Sequence, residues 1–220
     1  MDPDAVEARF GRDMGARMVS LMGGAGQLVF DLIARHGIQC DARPVGWIRA
    51  AHNAAALKDI QGKVAQWQQR GADLRFLERD ELAAMLGTDS YVGGLIDMRG
   101  GNLHPLNYTL GLAEAALRAG AGVHGQSRVV SAGRDGAAHV LRTARGSVRA
   151  GKVLLCTNGY TDSLAPPLAQ EVVPVRSVQV ATDPLPPDVA ASILPGRQAP
   201  SDLRRLLLYF RMDAAGRFIM

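Results

Sequence analysis

Cysteine is scarce in this 220-residue chain: Cys40 and Cys156 stand far apart, with no CxxC spacing. Two such thiols supply no disulfide framework and fit a reducing, cytoplasmic setting. Lysine is nearly missing too: of 25 cations only Lys58, Lys63 and Lys152 are lysine, which leaves 22 arginines. No apolar run approaches the ~18 residues of a membrane span; the longest, within 152–157, has the length of a strand. The start, Met1-Asp2-Pro3-Asp4, is acidic where a secretory leader is basic, so no signal peptide is expected. What is plentiful is ordinary for a soluble globular protein, 47% hydrophobic and 21% charged residues, and this excludes disorder over most of the length.

The net charge of +4 does not by itself indicate a polyanionic partner. The cations are interleaved with acids, and the densest groups are only Arg204-Arg205 and the spaced Arg142, Arg145 and Arg149. Phosphate binding draws on clustered cations, so nucleic acid is not expected as a partner.

Periodicity outlines an α/β chain. Residues 4–36 carry apolar side chains at helical spacing, as one long helix or two short ones, interrupted at Gly23, Gly24 and Gly26 by a kink or close packing. A strand is predicted over 45–52, a helix over 54–70, a strand over Leu74–Leu77, a helix over Glu78–Leu86 and a strand over Tyr91–Asp97. Pro105 opens a helix through Leu117. Turns at Asp135-Gly136 and Arg145-Gly146 separate three strands, Val123–Ala132, Ala138–Ala144 and Ser147–Cys156. The continuous apolar run Val153-Leu154-Leu155-Cys156 predicts that the third strand is buried on both faces in a parallel sheet. A strand over Val172–Ala181 and a hairpin of Leu206–Arg211 with Arg217–Met220 complete the expectation.

Two glycine patterns imitate dinucleotide fingerprints. Gly120-Ala121-Gly122-Val123-His124-Gly125 is a literal GxGxxG, but it follows a helix and precedes a strand, so a helix C-cap explains it. Gly24-Ala25-Gly26 has no preceding strand and carries Val29 where the third glycine belongs. The five histidines share no metal-ligand spacing, no metal site is expected, and no paired carboxylates offer a catalytic acid and base.

Three stretches, in order, carry a resemblance. They are Gly100-Gly101-Asn102-Leu103-His104-Pro105-Leu106-Asn107-Tyr108 with the following helix, Val153–Thr161 continuing to Val173–Thr182, and Arg205–Arg211 with Gly216-Arg217. Together the set resembles FAD-dependent amine oxidases of the D-amino-acid-oxidase-like superfamily, in particular the gamma-glutamylputrescine oxidase branch, over nearly the whole chain. The resemblance implies a mixed α/β fold: a partial, Rossmann-like FAD-binding domain with a β-meander (1–37 and 99–165), interleaved with a partial antiparallel-sheet substrate domain (38–98 and 166–220). Such oxidases begin with a strand–GxGxxG–helix unit and end with a glycine-rich flavin-contacting segment. Neither is found here, so the chain resembles an internal piece, expected to be inactive alone and to self-associate through unpaired sheet edges.

The resemblance further implies FAD as cofactor, a small-molecule amine as substrate and no catalytic side chain. Val129 is a candidate adenine-side contact, with a core β-strand valine as the equal alternative. Cys156, Thr157, Asn158 and Gly159 correspond to a strand-end turn beside the pyrophosphate and ribityl chain; small residues there let backbone approach a ligand. Asn158 stands where many relatives have glycine. Tyr209 and Arg211, two apart on a strand, are candidate substrate contacts, with Arg211 either a carboxylate anchor or a solvated strand residue. His104 either lines the pocket or precedes the Pro105 helix start, and the second is favoured. The competing reading is a non-catalytic remnant or binding module of the same ancestry, without flavin.

Overall fold

The computed structural model describes residues 2–162 and 164–220. By packing, the chain divides into two units: Met1–Arg118 with Gln179–Met220, and Ala119–Val178. This division groups 1–37 and 99–118 with the residues of the expected substrate domain, and 166–178 with the meander.

The first unit opens with three helices, α1 (Pro3–Phe10), α2 (Arg12–Gly23) and α3 (Ala25–His36). One break falls at the glycine cluster, and an additional one comes at Gly11, which adopts φ +80°. The cluster is a packing site: a Cβ on Gly26 would stand 2.4 Å from the Arg99 carbonyl, and one on Gly23 would press on Trp67 and Arg99. Strand β1 (Trp47–Ala51) follows, then α4 (Ala54–Gln68), β2 (Leu74–Leu77), α5 (Arg79–Leu86), β3 (Gly93–Asp97) and α6 (Pro105–Arg118). Asn53 caps α4 by accepting from the Ala56 N–H at 2.9 Å.

β1, β2 and β3 share a four-stranded sheet with β7 (Ala199–Asp202), in the order β2-β3-β1-β7. β3 runs antiparallel to both β2 and β1, and β7 lies parallel to β1. Ile48, Ala50, Leu77, Leu82, Leu86 and Ile96 form a core on the α5 face, and Ala51, Ile60, Val64, Leu74 and Leu95 form one beneath α4. The hairpin β8 (Arg211–Met212) and β9 (Phe218–Ile219) joins the β7 edge through an antiparallel bridge between Ser201 and Tyr209. Only the last residue of the expected Leu206–Arg211 arm is strand. The rest is loop, with Leu206 88% exposed. The short helix α8 (Pro187–Ser192) also belongs to this unit.

The second unit is a meander of β4 (Val129–Asp135), β5 (Ala138–Thr143) and β6 (Gly146–Ala150), then a 3-10 turn Asn158–Tyr160 and α7 (Pro166–Glu171). β4 begins at Val129, later than Val123. The prediction of a buried strand over Val153–Cys156 is corrected: β6 ends at Ala150, and Leu154 is 85% exposed. The cause is register. Ala150 pairs with His139, the second residue of β5, so the chain beyond Ala150 runs off the end of the meander with no strand of this unit alongside among the described residues. The predicted strand over Val172–Ala181 is likewise not formed. Only its end is paired, where Ala181 bridges Ile219, and Val180 and Met220 exchange two backbone hydrogen bonds.

Candidate functional site

The sequence-predicted residues fall into two clusters, one in each unit. In the first unit, β8 and the residues before it alternate across the sheet. Phe210 and Met212 join the core on the α5 face, with the Phe210 and Phe218 rings 5.6 Å apart. Tyr209 and Arg211 line a cavity of about 150 Å³ together with Trp47, Gln179 and Ser201, and Phe210 between them also borders it. Nη1 of Arg211 is buried and has no hydrogen-bond partner among the described residues. A buried guanidinium N–H left unpaired is costly, and an anionic acceptor is the group that satisfies it best.

Asp202 holds the loop leading to that cavity, a role the sequence reading missed. Its carboxylate is fully enclosed, accepts from the N–H groups of Arg204 at 3.1 Å and Leu208 at 2.9 Å, and pairs with the Arg204 guanidinium. Its own N–H donates to the Leu208 carbonyl at 2.9 Å. Together these bonds fix where the chain re-enters the sheet at Tyr209. The signal in the sequence is an acidic residue two before the Arg204-Arg205 pair, which reads equally well as a surface ion pair. Trp47 was also missed, because its place on the cavity depends on the pairing of β1 with β7. His104 sits at the start of α6, where its Nδ1 accepts from the Asn107 N–H at 3.3 Å, so it serves the helix start.

In the second unit, Val129, Cys156 and Thr157 line one cavity of about 380 Å³ with Leu141, Val153 and Tyr160. Asn158 and Gly159 form the adjoining 3-10 turn. Asn158 takes φ +47°, the left-handed conformation that glycine adopts without strain and asparagine tolerates better than most residues. A Cβ on Gly159 would meet nothing within 4 Å. Thr157 and Thr161 share a hydroxyl hydrogen bond of 2.6 Å that closes the turn. Arg128 pairs with Asp162 at the same cavity. The Asp162 carboxyl is held below the usual aspartate range, first by the Leu164 N–H at 3.0 Å and then by Arg128. Cys156 is exposed, whereas Cys40 in the first unit is 1% exposed and burial pushes its thiol pKa up.

The chain is mixed α/β with a β-meander, an apolar cavity beside a small-residue turn, and an arginine whose buried Nη1 has no partner among the described residues, and comparison with known proteins supplies the class, the flavin-dependent oxidoreductases. The match is direct: the FAD dependent oxidoreductase family covers residues 5–220, and the chain belongs to it. It is 32% identical over 220 residues to gamma-glutamylputrescine oxidoreductase of Escherichia coli, covering 99% of this chain and 51% of that protein. It is 30% identical over 218 residues to a probable oxidoreductase OrdL of Rhizobium meliloti, covering 98% of this chain and 50% of that one. The chain thus spans about half the length of the curated relatives it matches. Among solved structures, glycine oxidase from Bacillus cereus superposes with a TM-score of 0.71 at 20% identity, over 92% of this chain and 55% of that one. L-proline dehydrogenase from P. horikoshii gives 0.73 at 15% identity, over 96% and 55%. These two likenesses establish the fold.

The residues of the second unit fit one part of FAD. The segment 153–157 lies outside the meander's ladder, and it forms an apolar wall beside a polar turn. The remaining requirement, a glycine turn leading into a helix at the pyrophosphate, is not met by the GxGxxG at Gly120–Gly125: it follows α6, with Gly120 at φ +86°.

Proposed function

We propose that this chain carries the substrate-anchoring face and part of the flavin-contacting surface of an oxidase acting on amines or amino acids. The observation that carries the reading is Arg211, whose Nη1 is buried without a partner among the described residues and which lines a cavity with Tyr209. Arg211 binds the carboxylate of the substrate through a charge-assisted pair, and Tyr209 adds a hydroxyl on the same face. Val129 and the turn Cys156–Gly159 hold FAD, with Val129 on the adenine side and the turn beside the pyrophosphate and ribityl chain. Held there, FAD would supply the redox chemistry: acceptance of a hydride from the carbon bearing the amine, and reoxidation by dioxygen to hydrogen peroxide. Arg211 and Tyr209 fix the substrate's orientation. An amine that arrives neutral needs no side-chain base. The function-based division, with 1–37 and 99–165 serving the flavin and 38–98 and 166–220 the substrate, belongs to this reading. So does a cytoplasmic setting, supported by two cysteines that are both free. Among the described residues no helix is long and apolar enough to cross a membrane.

The test is peroxide production, normalised to bound flavin, in any form of the protein that binds flavin stoichiometrically. With an amine bearing one carboxylate, Arg211→Ala is expected to lower kcat/KM by about 1.5–3 kcal/mol equivalent, and Arg211→Lys to lower it too, since an ammonium cannot reproduce the guanidinium fork. With an amine lacking a carboxylate, both variants are expected to match wild type. Wild-type kcat/KM on the carboxylated amine in both variants removes Arg211 from the site. Failure of every form of the protein to show flavin absorbance near about 450 nm favours the non-catalytic remnant instead.

A further inference from the structure

A second arginine shares the sheet face of Arg211. The parallel pairing of β1 with β7 sets Trp47 opposite Ala199 and Arg49 opposite Ser201. The antiparallel bridge sets Tyr209 beside Ser201, and the Phe210 N–H donates to the Pro200 carbonyl at 3.3 Å, so the chain runs on with Arg211 toward the Ala199 end of β7. One row therefore crosses the face of the sheet, Arg49–Ser201–Tyr209, with Trp47, Ala199 and Arg211 two residues along from it. With strands about 4.8 Å apart and about 3.3 Å per residue, the Cα atoms of Arg49 and Arg211 lie about 12 Å apart on the diagonal.

Arg49 opens into its own cavity, of about 230 Å³, lined by Trp47, Arg49, Lys63, Trp67, Asp97 and Arg99 among others. The charges around it do not balance. Asp97 is fully engaged by Arg99, with Nε at 2.9 Å and Nη2 at 2.6 Å, and Lys63 pairs with Asp59 on α4. Half-buried Arg49 has no carboxylate partner among the described residues; its guanidinium lies over the Trp47 ring, 6.0 Å from the centroid. Trp47 borders both this cavity and that of Arg211, so the two adjoin along one side chain. The Trp67 ring is covered by Arg99, 4.2 Å from its centroid, and an uncompensated guanidinium beside the Trp47 indole suits a carboxylate carried on a short apolar chain.

We propose that Arg49 is a second anion anchor, which binds a distal carboxylate of a substrate whose first carboxylate is held by Arg211. This inference rests on the reading of Arg211 given above and narrows the substrate class to amines with two anionic ends. It has a direct optical readout, because Trp47 and Trp67, the chain's two tryptophans, both line the Arg49 cavity.

The experiment is a titration of the 220-residue chain at constant ionic strength, following tryptophan fluorescence. The probes are α,ω-dicarboxylates from succinate to suberate, their monocarboxylate counterparts and the matching neutral diamides. One dicarboxylate length is expected to bind saturably, about tenfold or more tighter than its monocarboxylate, with no response to the diamide. Arg49→Gln and Arg211→Gln are each expected to remove that advantage, and Arg49→Lys to retain part of it, with far-UV circular dichroism matching wild type. The wild-type titration decides the matter even where a variant fails to fold: no saturable response, or no length that outbinds its monocarboxylate, overturns the proposal. An Arg49→Gln chain that keeps the full advantage overturns it as well. The reading of Arg211 stands or falls separately, by the peroxide assay with an amine bearing a single carboxylate.

Discussion

Single residues show most clearly how local bonding sets chemistry here. Asp162 has a folded-state pKa below that of an unfolded aspartate, so its bonds to the Leu164 N–H and to Arg128 stabilise the second unit above the usual aspartate value. That contribution is lost as pH falls through the lowered value. We expect the Asp162 side-chain carboxyl carbon, followed by NMR, to titrate below an ordinary aspartate. Arg128→Gln should raise the midpoint only part of the way, because the Leu164 N–H is the larger cause. A midpoint unmoved by the substitution would detach Arg128 from the turn. That Tyr209 and Arg211 share a cavity follows the two-residue period expected from the sequence, although Tyr209 lies outside β8 and is held by its bridge to Ser201. Trp47 and Asp202 were not legible, because their roles depend on which strand pairs with β1 and on a loop closing back on its own start, and neither leaves a local pattern.

Among the elements, the glycines divide by what surrounds them. A Cβ on Gly101 would stand 2.2 Å from the Arg43 carbonyl oxygen and 2.7 Å from the Phe30 ring. Backbone cannot yield there as a flexible side chain does. Gly101→Ala is therefore expected to destabilise by about 1–3 kcal/mol, read as a shift in the urea midpoint. Gly62, inside α4 with nothing within 4 Å of its Cβ, is the control: Gly62→Ala should stabilise by about 0.5–1 kcal/mol. Equal shifts of one sign in both variants would contradict this account. Elements bounded by local chemistry were readable from the sequence: α4, α5, α6 after Pro105, and the two turns of the meander. The Val153–Cys156 and Val172–Ala181 strands failed for a single reason. Apolar, β-branched composition reports what a segment prefers, whereas a strand exists only where a second backbone lies alongside to pair with it.

At the scale of the whole molecule, the two units expose apolar surface and unpaired edges in quantity. Leu154, Val173, Val175 and Val178 are each at least 82% exposed in the second unit, and so is Leu206 in the first. The outer edges of β4 and β6 carry no partner strand among the described residues. The purified 220-residue chain is expected to elute above its 23.4 kDa monomer mass on gel filtration. A monomer with a sharp, reversible thermal transition would refute this. The same chain, mixed with FAD and passed through the column, is expected to emerge colourless, because the wall and turn of the second unit lack the helix N-terminus that holds a pyrophosphate. Stoichiometric yellow protein would show that the cavity at Val129 and Cys156 suffices.

The departure of residues 153–157 from the meander has a practical side in thiol chemistry. Cys156 lies exposed on that segment, on the wall of the cavity assigned to FAD, while Cys40 is sealed in the first unit with its thiol pKa raised. A maleimide dye offered to the folded chain therefore meets one accessible sulfur, and native sequence alone directs the label. An environment-sensitive dye at Cys156 becomes a reporter mounted on the cavity wall, able to register a ligand arriving there without any engineered cysteine.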